Sequence, residues 1–475
     1  MGSKGLTQTT GRSHAPANEA HTTKWRRRSV LASLIAGATV AASPRQSFAL
    51  SADILGARSI AEFGGAPGLG SNQSSSFQSA IDASSATREP VFVPPGQYLV
   101  SGLSLRPGAH LIGVSGKTIL IFAGGEAMVR GAGANDVRLE DLTFTGNNQP
   151  VGPEEGAMID LLASRSILVR GCEIYNAHRT ALALREVSGT ISACRIETVG
   201  DVGIRSLDAA GLTLTDNDIT NCGNAGIQIW RTTEGPDGTQ VTRNRISRIA
   251  SVSGGTGQNG NGVNVFRADN VQVSDNRISD VAFSSVRGNA ASNLQIIGNQ
   301  CARHGETALY SEFGFQGAVI ANNVVEDAAI GISIANLIDD GRLATCTGNL
   351  IRNLKKDVPY EADPFGFGTG IACEGDTTVT GNVVENAPGF GLAIGWGPYL
   401  KNVTATGNVV RSANGGVYLS VVDGTGPAVI SDNIFSDILA GVVIGYRWTE
   451  RATDDLLNPQ SASIPWLSLS GNQVS

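Results

Sequence analysis

The chain has 475 residues, 41% hydrophobic and 16% charged, with 60 glycines and a net charge of −7. That apolar share supports a sizeable core and excludes wholesale disorder, and the glycines keep no three-residue period, which excludes collagen. A net-negative chain lacks the basic field of a nucleic-acid binder, and 6 cysteines are too few for a disulfide scaffold.

Near the N-terminus, Trp25-Arg26-Arg27-Arg28-Ser29-Val30-Leu31 leads into an uncharged apolar run from Val30 to Ala42, then small residues ending Ser47-Phe48-Ala49. Charged, apolar and small-residue segments in this order are those of a cleaved export signal. As a helix the apolar run reaches about 20 Å, short of the ~30 Å of a bilayer core, so it is not a membrane span. The arginines before Val30-Leu31 resemble a twin-arginine signal, which implies export of a folded protein to the periplasm or beyond. Residues 1–49 are therefore read as leader and signal, and 50–475 as one exported unit without a membrane span. Within it, 50–110 is expected to form an N-terminal cap and first strands. Ser75 to Ala83, with Phe77, Ala80 and Ile81 on one side, reads as a short amphipathic capping helix.

A repeat fills the rest of the chain. The unit apolar-x-x-Asn-x-apolar gives a file of Cys172, Cys194, Asn217, Asn244, Asn276, Asn299, Asn323, Asn349, Asn382, Asn408, Asn433 and Asn472. Eight of the eleven intervals are 22 to 27 residues. Every residue three before the file (Val169 to Leu469) and two after it (Ile174 to Val474) is apolar. Further on come Gly-apolar-x-apolar segments such as Gly226-Ile227-Gln228-Ile229 and Gly262-Val263-Asn264-Val265, whose period of two reads as short strands. About 24 residues per repeat hold two or three strands but not two helices. The solution is a parallel β-solenoid, whose turns stack about 4.8 Å apart and pair each other's edges. Asn suits the file because it tolerates a left-handed corner and its amide can bond up the stack. Cys172 and Cys194, in successive turns, then lie within reach of a disulfide. Cys301, Cys346 and Cys373 fall at inward positions as small hydrophobes. Residues 447–475 form the last turn, with 447–463 expected to fold back as a cap.

These Asn and Gly-Ile-x-Ile units resemble the right-handed parallel β-helix of the pectate-lyase-like superfamily. So does the opening Phe63-Gly64-Gly65, Phe77-Gln78-Ser79-Ala80-Ile81 and Val91-Phe92-Val93-Pro94-Pro95-Gly96-Gln97-Tyr98. The resemblance spans residues 53–475 and implies an all-β fold of about 12–13 coils with an N-terminal capping helix. Joined to the signal, it also resembles twin-arginine-exported repeat proteins. The superfamily's hydrolase pattern of paired Asp with Gly-His-Gly, its calcium-binding Asp clusters, and the Asp-Pro-His-Asp of alginate epimerases have no counterpart here. Asp363-Pro364 is followed by Phe365. No metal-binding motif occurs either, so neither metal nor cofactor is expected.

The outward position of each Gly-Ile-x-Ile strand gives a column running Asp160, Ala183, Arg205, Gln228, Asn264, Arg287, Tyr310, Ser333, Ala372, Ala393, Tyr418, Val443. Beside it run Leu162, Arg185, Leu207, Trp230, Phe266, Asn289 and Glu312, and the preceding loops add His178, Asp201, Asp280, His304 and Glu306. Aromatic, basic and amide groups thus concentrate between Arg185 and Glu312, whereas the later coils present Ala, Ser and Val. Such a wall suits a polysaccharide: Arg205, Gln228, Trp230, Asn264 and Phe266 to bind it, through stacking and hydrogen bonds to hydroxyls. His304, Tyr310, Arg287 and Glu312 are the catalytic candidates. Arg287 would neutralise a uronate carboxylate while His304 or Tyr310 removes the α-proton, as a lyase or epimerase requires. Glu306 and Glu312, with Asp280 as a third option, are the carboxylates for hydrolysis. Binding without turnover, or a structural envelope role, is the other class. The glycine-rich insertion Ser251–Asn261 is expected to be a mobile loop over Trp230 and Phe266, and Lys355–Phe367 a second wall.

Overall fold

A computed structural model describes residues 52–475 apart from 54, 148, 153–155, 256, 336, 359–363 and 462. The leader and signal expected in residues 1–49 lie outside the described residues. The described strands pair into a 16-stranded and a 28-stranded sheet. A typical turn supplies three of them: Leu212–Thr215 on the first face, Asp218–Cys222 on the second and Ala225–Pro236 on the third. The second and third faces count as one sheet because Val383–Ile394 and Val409–Ser420 run unbroken round the corner between them. All named pairings but one are parallel. The fold is an all-β parallel solenoid of about 14 turns. The expected 12–13 counted turns from the Asn file; strands from Arg58–Ser59 to Thr143–Thr145 precede its first member.

Register bears out both apolar columns. Val169, Ile191, Leu214 and Val241 sit side by side, and the file continues unbroken to Ile430 and Leu469. Ile174, Ile196, Ile219 and their successors align as far as Val474. Most members are fully buried, so the stack makes one continuous core.

The Asn amides bond up the stack as expected, but the corner differs from expectation. The left-handed corner belongs to the residue before each member of the file: Ala193 (φ 52°), Asp216 (58°), Arg243 (56°), Gly298 (70°) and Gly348 (65°) among others. Each Asn is free of that strain and points into the wall as an amide rung. Asn299 shows the pattern: its Oδ1 accepts from the main-chain N–H and the Nδ2 of Asn276 (both 3.0 Å), and its Nδ2 donates to Val273 O (2.9 Å) and Asn323 Oδ1 (3.0 Å). The same contacts recur to Asn433 and Asn472. A buried amide so satisfied stabilises; unpaired, it costs about 1–3 kcal/mol. Cys172 and Cys194 stand in the lower rungs as free thiols, donating to Leu139 O and Val169 O (3.4 and 3.6 Å), the role Nδ2 plays above.

The helix Ser74–Thr87 runs longer than Ser75 to Ala83, because Ser84 also turns inward: its hydroxyl donates to Glu89 O (2.7 Å) and accepts the His110 N–H (3.0 Å). Phe77 packs edge-on against Tyr98, 5.4 Å between centroids, which closes the first turns. At the other end Glu450–Asp455 folds antiparallel onto Val443–Arg447 of the third face. The chain then rejoins the first face as Leu467–Ser470. Among the described residues no helix is long and apolar enough to cross a membrane.

Candidate functional site

The third face carries the outward columns. Asp160, Ala183, Arg205, Gln228, Asn264, Arg287, Tyr310, Ser333, Ala372, Ala393 and Tyr418 stand in register, as expected. Only the last member shifts: Ile444, not Val443, faces Tyr418. The column also extends one strand earlier, to Arg130 beside Asp160. Sequence reasoning misses Arg130 because Val129-Arg130-Gly131-Ala132 lacks the Gly-Ile-x-Ile signature that marks the later strands.

Over the early part of this wall lies a cleft of about 830 Å³. Its small floor residues are Gly156, Ala183 and Gly200, and around them stand Arg130, Arg179, Arg185, Arg205, Glu126, Asp160, Asp201, His178 and Trp230. Three of the four arginines pair with carboxylates. Arg185 Nη2 bridges both oxygens of Asp160 (3.0 and 3.1 Å), Arg130 meets Glu126, and Arg205 donates to Asp201 (2.8 Å) and to Gln228 Oε1 (3.0 Å). Partly exposed pairs of this kind contribute about 0–1 kcal/mol each to stability. They leave alternating donors and acceptors facing the cleft, a pattern matched to sugar hydroxyls.

Three of the five residues expected to bind substrate, Gln228, Asn264 and Phe266, do not line the cleft. A loop closes over the first two: Asn264 Nδ2 donates to Gly257 O (2.8 Å) and Gln228 Nε2 to Gln258 O (3.3 Å). Asn224 anchors the loop through Ser253, accepting its N–H and bonding its hydroxyl (both 2.9 Å). These bonds tie the loop to the wall, and Gln228 and Asn264 are buried beneath it. Trp230 remains half-buried on the cleft wall, its indole donating to Asn264 Oδ1 (2.6 Å) and its ring edge-on to Phe266 at 6.1 Å. Phe266 lies beside it under Arg267 (4.8 Å) and does not line the cleft.

The catalytic candidates separate. Arg287, Tyr310 and Glu312 do meet, but as a sealed ion pair. Arg287 grips Glu312 with Nε (2.7 Å) and Nη2 (3.0 Å), reaches Glu306 (3.5 Å), and stacks over the Tyr310 ring (4.9 Å). Burial pushes the Tyr310 phenol up. With Nε and Nη2 on Glu312 and Nη1 on Glu306, Arg287 does not face outward to a uronate carboxylate. His304 is not on this wall. It occupies the inward file of Ala177, Val199, Cys222, Ile249 and Val281, is 1% exposed, and shares a 3.1 Å hydrogen bond between Nδ1 and Ser285 Oγ. Its Nε2 has no partner among the described residues, and burial holds its pKa down to about 4. A loop position suggests an outward side chain; the left-handed Arg303 just before it (φ 60°) turns it inward. Asp280 sits apart, with Arg303 (2.6 Å) holding its carboxyl down to about 2. Among the described residues no cluster of three or more His, Cys, Asp or Glu is arranged to hold a metal.

The later turns are not the plain Ala, Ser and Val surface expected. Phe365, Phe390, Trp396, Tyr418, Tyr446 and Trp448 form a connected set, with Tyr418 and Tyr446 stacked at 4.9 Å and Phe365 within 6.2 Å of four other rings. Five of these residues lie outside the outward column, in insertions or next to the Gly-Leu-x-Ile signature; Tyr418 alone belongs to it.

A sequence profile described as a right handed beta helix region matches residues 104–246 and 233–410. No curated protein sequence matches significantly. Among solved structures, gene product 12 of bacteriophage phi29 aligns with a TM-score of 0.53 at 13% identity, over 90% of this chain and 58% of its own length. The A-module of the Azotobacter vinelandii mannuronan C-5 epimerase AlgE6 aligns at 0.43 and 17%, over 88% of this chain and 99% of its own. The Streptococcus pneumoniae surface adhesin PfbA aligns at 0.46 and 12%, over 88% of this chain and 100% of its own. At such identities the phage likeness speaks for the fold alone, and the two lower scores carry no argument. With the profile covering well over half its length and three parallel faces winding through one core, the chain belongs to the right-handed β-helix family.

Proposed function

We propose that this protein, exported behind the signal at its N-terminus, binds a polysaccharide along the third face, in the cleft running from Arg130 to Trp230. The observation that supports this most is the pairing in that cleft. Asp160 with Arg185, and Asp201 with Arg205, offer fixed donors and acceptors beside the Trp230 indole, at a site too long and open for a small cofactor. Because three of the four arginines there, Arg130, Arg185 and Arg205, are matched by carboxylates, the reading favours a chain recognised by its hydroxyls over a polyuronate. Turnover by elimination finds little support, since His304 is interior and Arg287 is committed to Glu312.

The test is retention of neutral and acidic polysaccharides in affinity gels, with products read by mass. Neutral or sparsely charged chains are expected to be retained without cleavage, and Trp230→Ala to weaken retention about tenfold, equivalent to ~1.4 kcal/mol. Unsaturated uronate ends, or unchanged binding by Trp230→Ala, would overturn the reading.

A further inference from the structure

The aromatic set of the later turns encloses a second cleft, of about 110 Å³. Phe365, Phe390, Trp396 and Tyr418 line it, with Ala372 and Ala393 from the outward column at its base. Thr369 lines it as well. Thr369 is 1% exposed, and its Oγ1 has no hydrogen-bond partner among the described residues. A buried hydroxyl without a partner is costly, and in an apolar cleft it marks where a ligand acceptor would sit. Trp396 stands at the rim, 36% exposed.

Size and chemistry narrow the ligand. The cleft is smaller than the ~150 Å³ cavity that accommodates benzene, so it admits a substituent and not a whole ring. Its lining is apolar but for Thr369 and Glu374, and one Glu374 oxygen accepts the Leu337 N–H (2.7 Å), so the aromatic part of the cleft suits a methyl group. Thr369 requires an acceptor beside that methyl, and a carbonyl supplies one. A methyl next to a carbonyl is an acetyl group. The exposed face of Trp396 would carry the sugar ring that bears it. This cleft lies seven strands up the column from Arg205, about 34 Å at ~4.8 Å per strand, so one extended chain would reach both clefts.

We propose that the cleft between Phe365 and Tyr418 is a second glycan subsite that takes the acetyl substituent of an N- or O-acetylated sugar, with Thr369 donating to the acetyl carbonyl and Trp396 under the ring. The ligand class rests on the polysaccharide reading above; the pocket chemistry does not.

The experiment separates the two. Tryptophan indole N–H resonances of the mature protein are followed with N-acetylglucosamine and with glucose, the Trp396 signal being assigned by Trp396→Phe. N-acetylglucosamine is expected to move the Trp396 resonance at millimolar concentration and glucose not to. Thr369→Val should weaken the response at least fivefold, and Ala393→Leu, which adds volume at the base, should abolish it. Equal shifts with both sugars, or no shift with either, overturn the acetyl site, and the wild-type comparison stands even if a variant misfolds. The second arm compares retention on acetylated xylan and on the same xylan after alkaline deacetylation. Equal retention of both, weakened by Trp230→Ala, keeps the first cleft and removes the acetyl site. A Trp396 response to the acetylated monosaccharide, with no polymer retained, keeps the acetyl site and removes the polysaccharide reading.

Discussion

The third face has two halves that share one backbone and differ in chemistry. In the early turns, between Arg130 and Trp230, the wall is built of guanidinium–carboxylate pairs that remain in contact with solvent. In the later turns, between Phe365 and Trp448, it is built of aromatic rings packed on one another. Arg287, Tyr310 and Glu312 mark the boundary, where an ion pair is already sealed from water. The lesson is that a stacked scaffold fixes positions about 4.8 Å apart and leaves chemistry to whatever each turn inserts.

The boundary offers the largest effect. Arg287→Ala should cost about 4 kcal/mol in urea unfolding, because it leaves the buried Glu312 carboxylate without this cation. A loss below ~1 kcal/mol would place this pair with the exposed ones and erase the boundary. Next is acid. His304 has its pKa lowered from 6.5 to about 4 by burial, so its contribution is complete above pH 6.5 and is lost as pH falls from there towards 4. The loss should reach about 3 kcal/mol, and His304→Phe should flatten the pH dependence in that window. An unchanged slope in the variant would move the acid sensitivity elsewhere. In the later half, Phe365→Ala should cost about 2 kcal/mol, since one half-buried ring contacts four others. Smallest is Arg185→Ala in the early half, expected within ~1 kcal/mol because its pair with Asp160 is partly solvated. If Arg185→Ala and Arg287→Ala cost the same, the contrast between open and sealed pairs does not hold.

Much of this is legible in the chain. Both apolar columns line up to the last member, because strand pairing in a solenoid leaves register no freedom once the core side of each turn is fixed. The outward column follows from the same parity, down to Arg205, Arg287 and Tyr310. The capping helix is readable from Phe77, Ala80 and Ile81, though not its length, which Ser84 extends. The corner falls one residue from its expected place: the left-handed backbone sits on the preceding Gly, Asp, Asn, Arg or Ala, while the Asn of the file serves as the amide rung that its stacking suggests.

The site is less legible. Trp230 and Arg205 line the cleft as expected. Gln228 and Asn264 have the same outward parity, but a loop thirty or fewer residues away in the chain covers both. The loop position of His304 points outward, and one left-handed residue reverses it. The aromatic set escapes because Phe365, Phe390, Trp396, Tyr446 and Trp448 come from insertions and strand flanks, where no column predicts direction.

From residue order alone come the stacked parallel turns, their shared core and the side of the wall each strand residue faces, since alternation along a strand and repetition between strands are properties of the chain. Which of those wall residues meet solvent is decided only in three dimensions. Insertions obey no repeat, and their hydrogen bonds and rings determine what they cover.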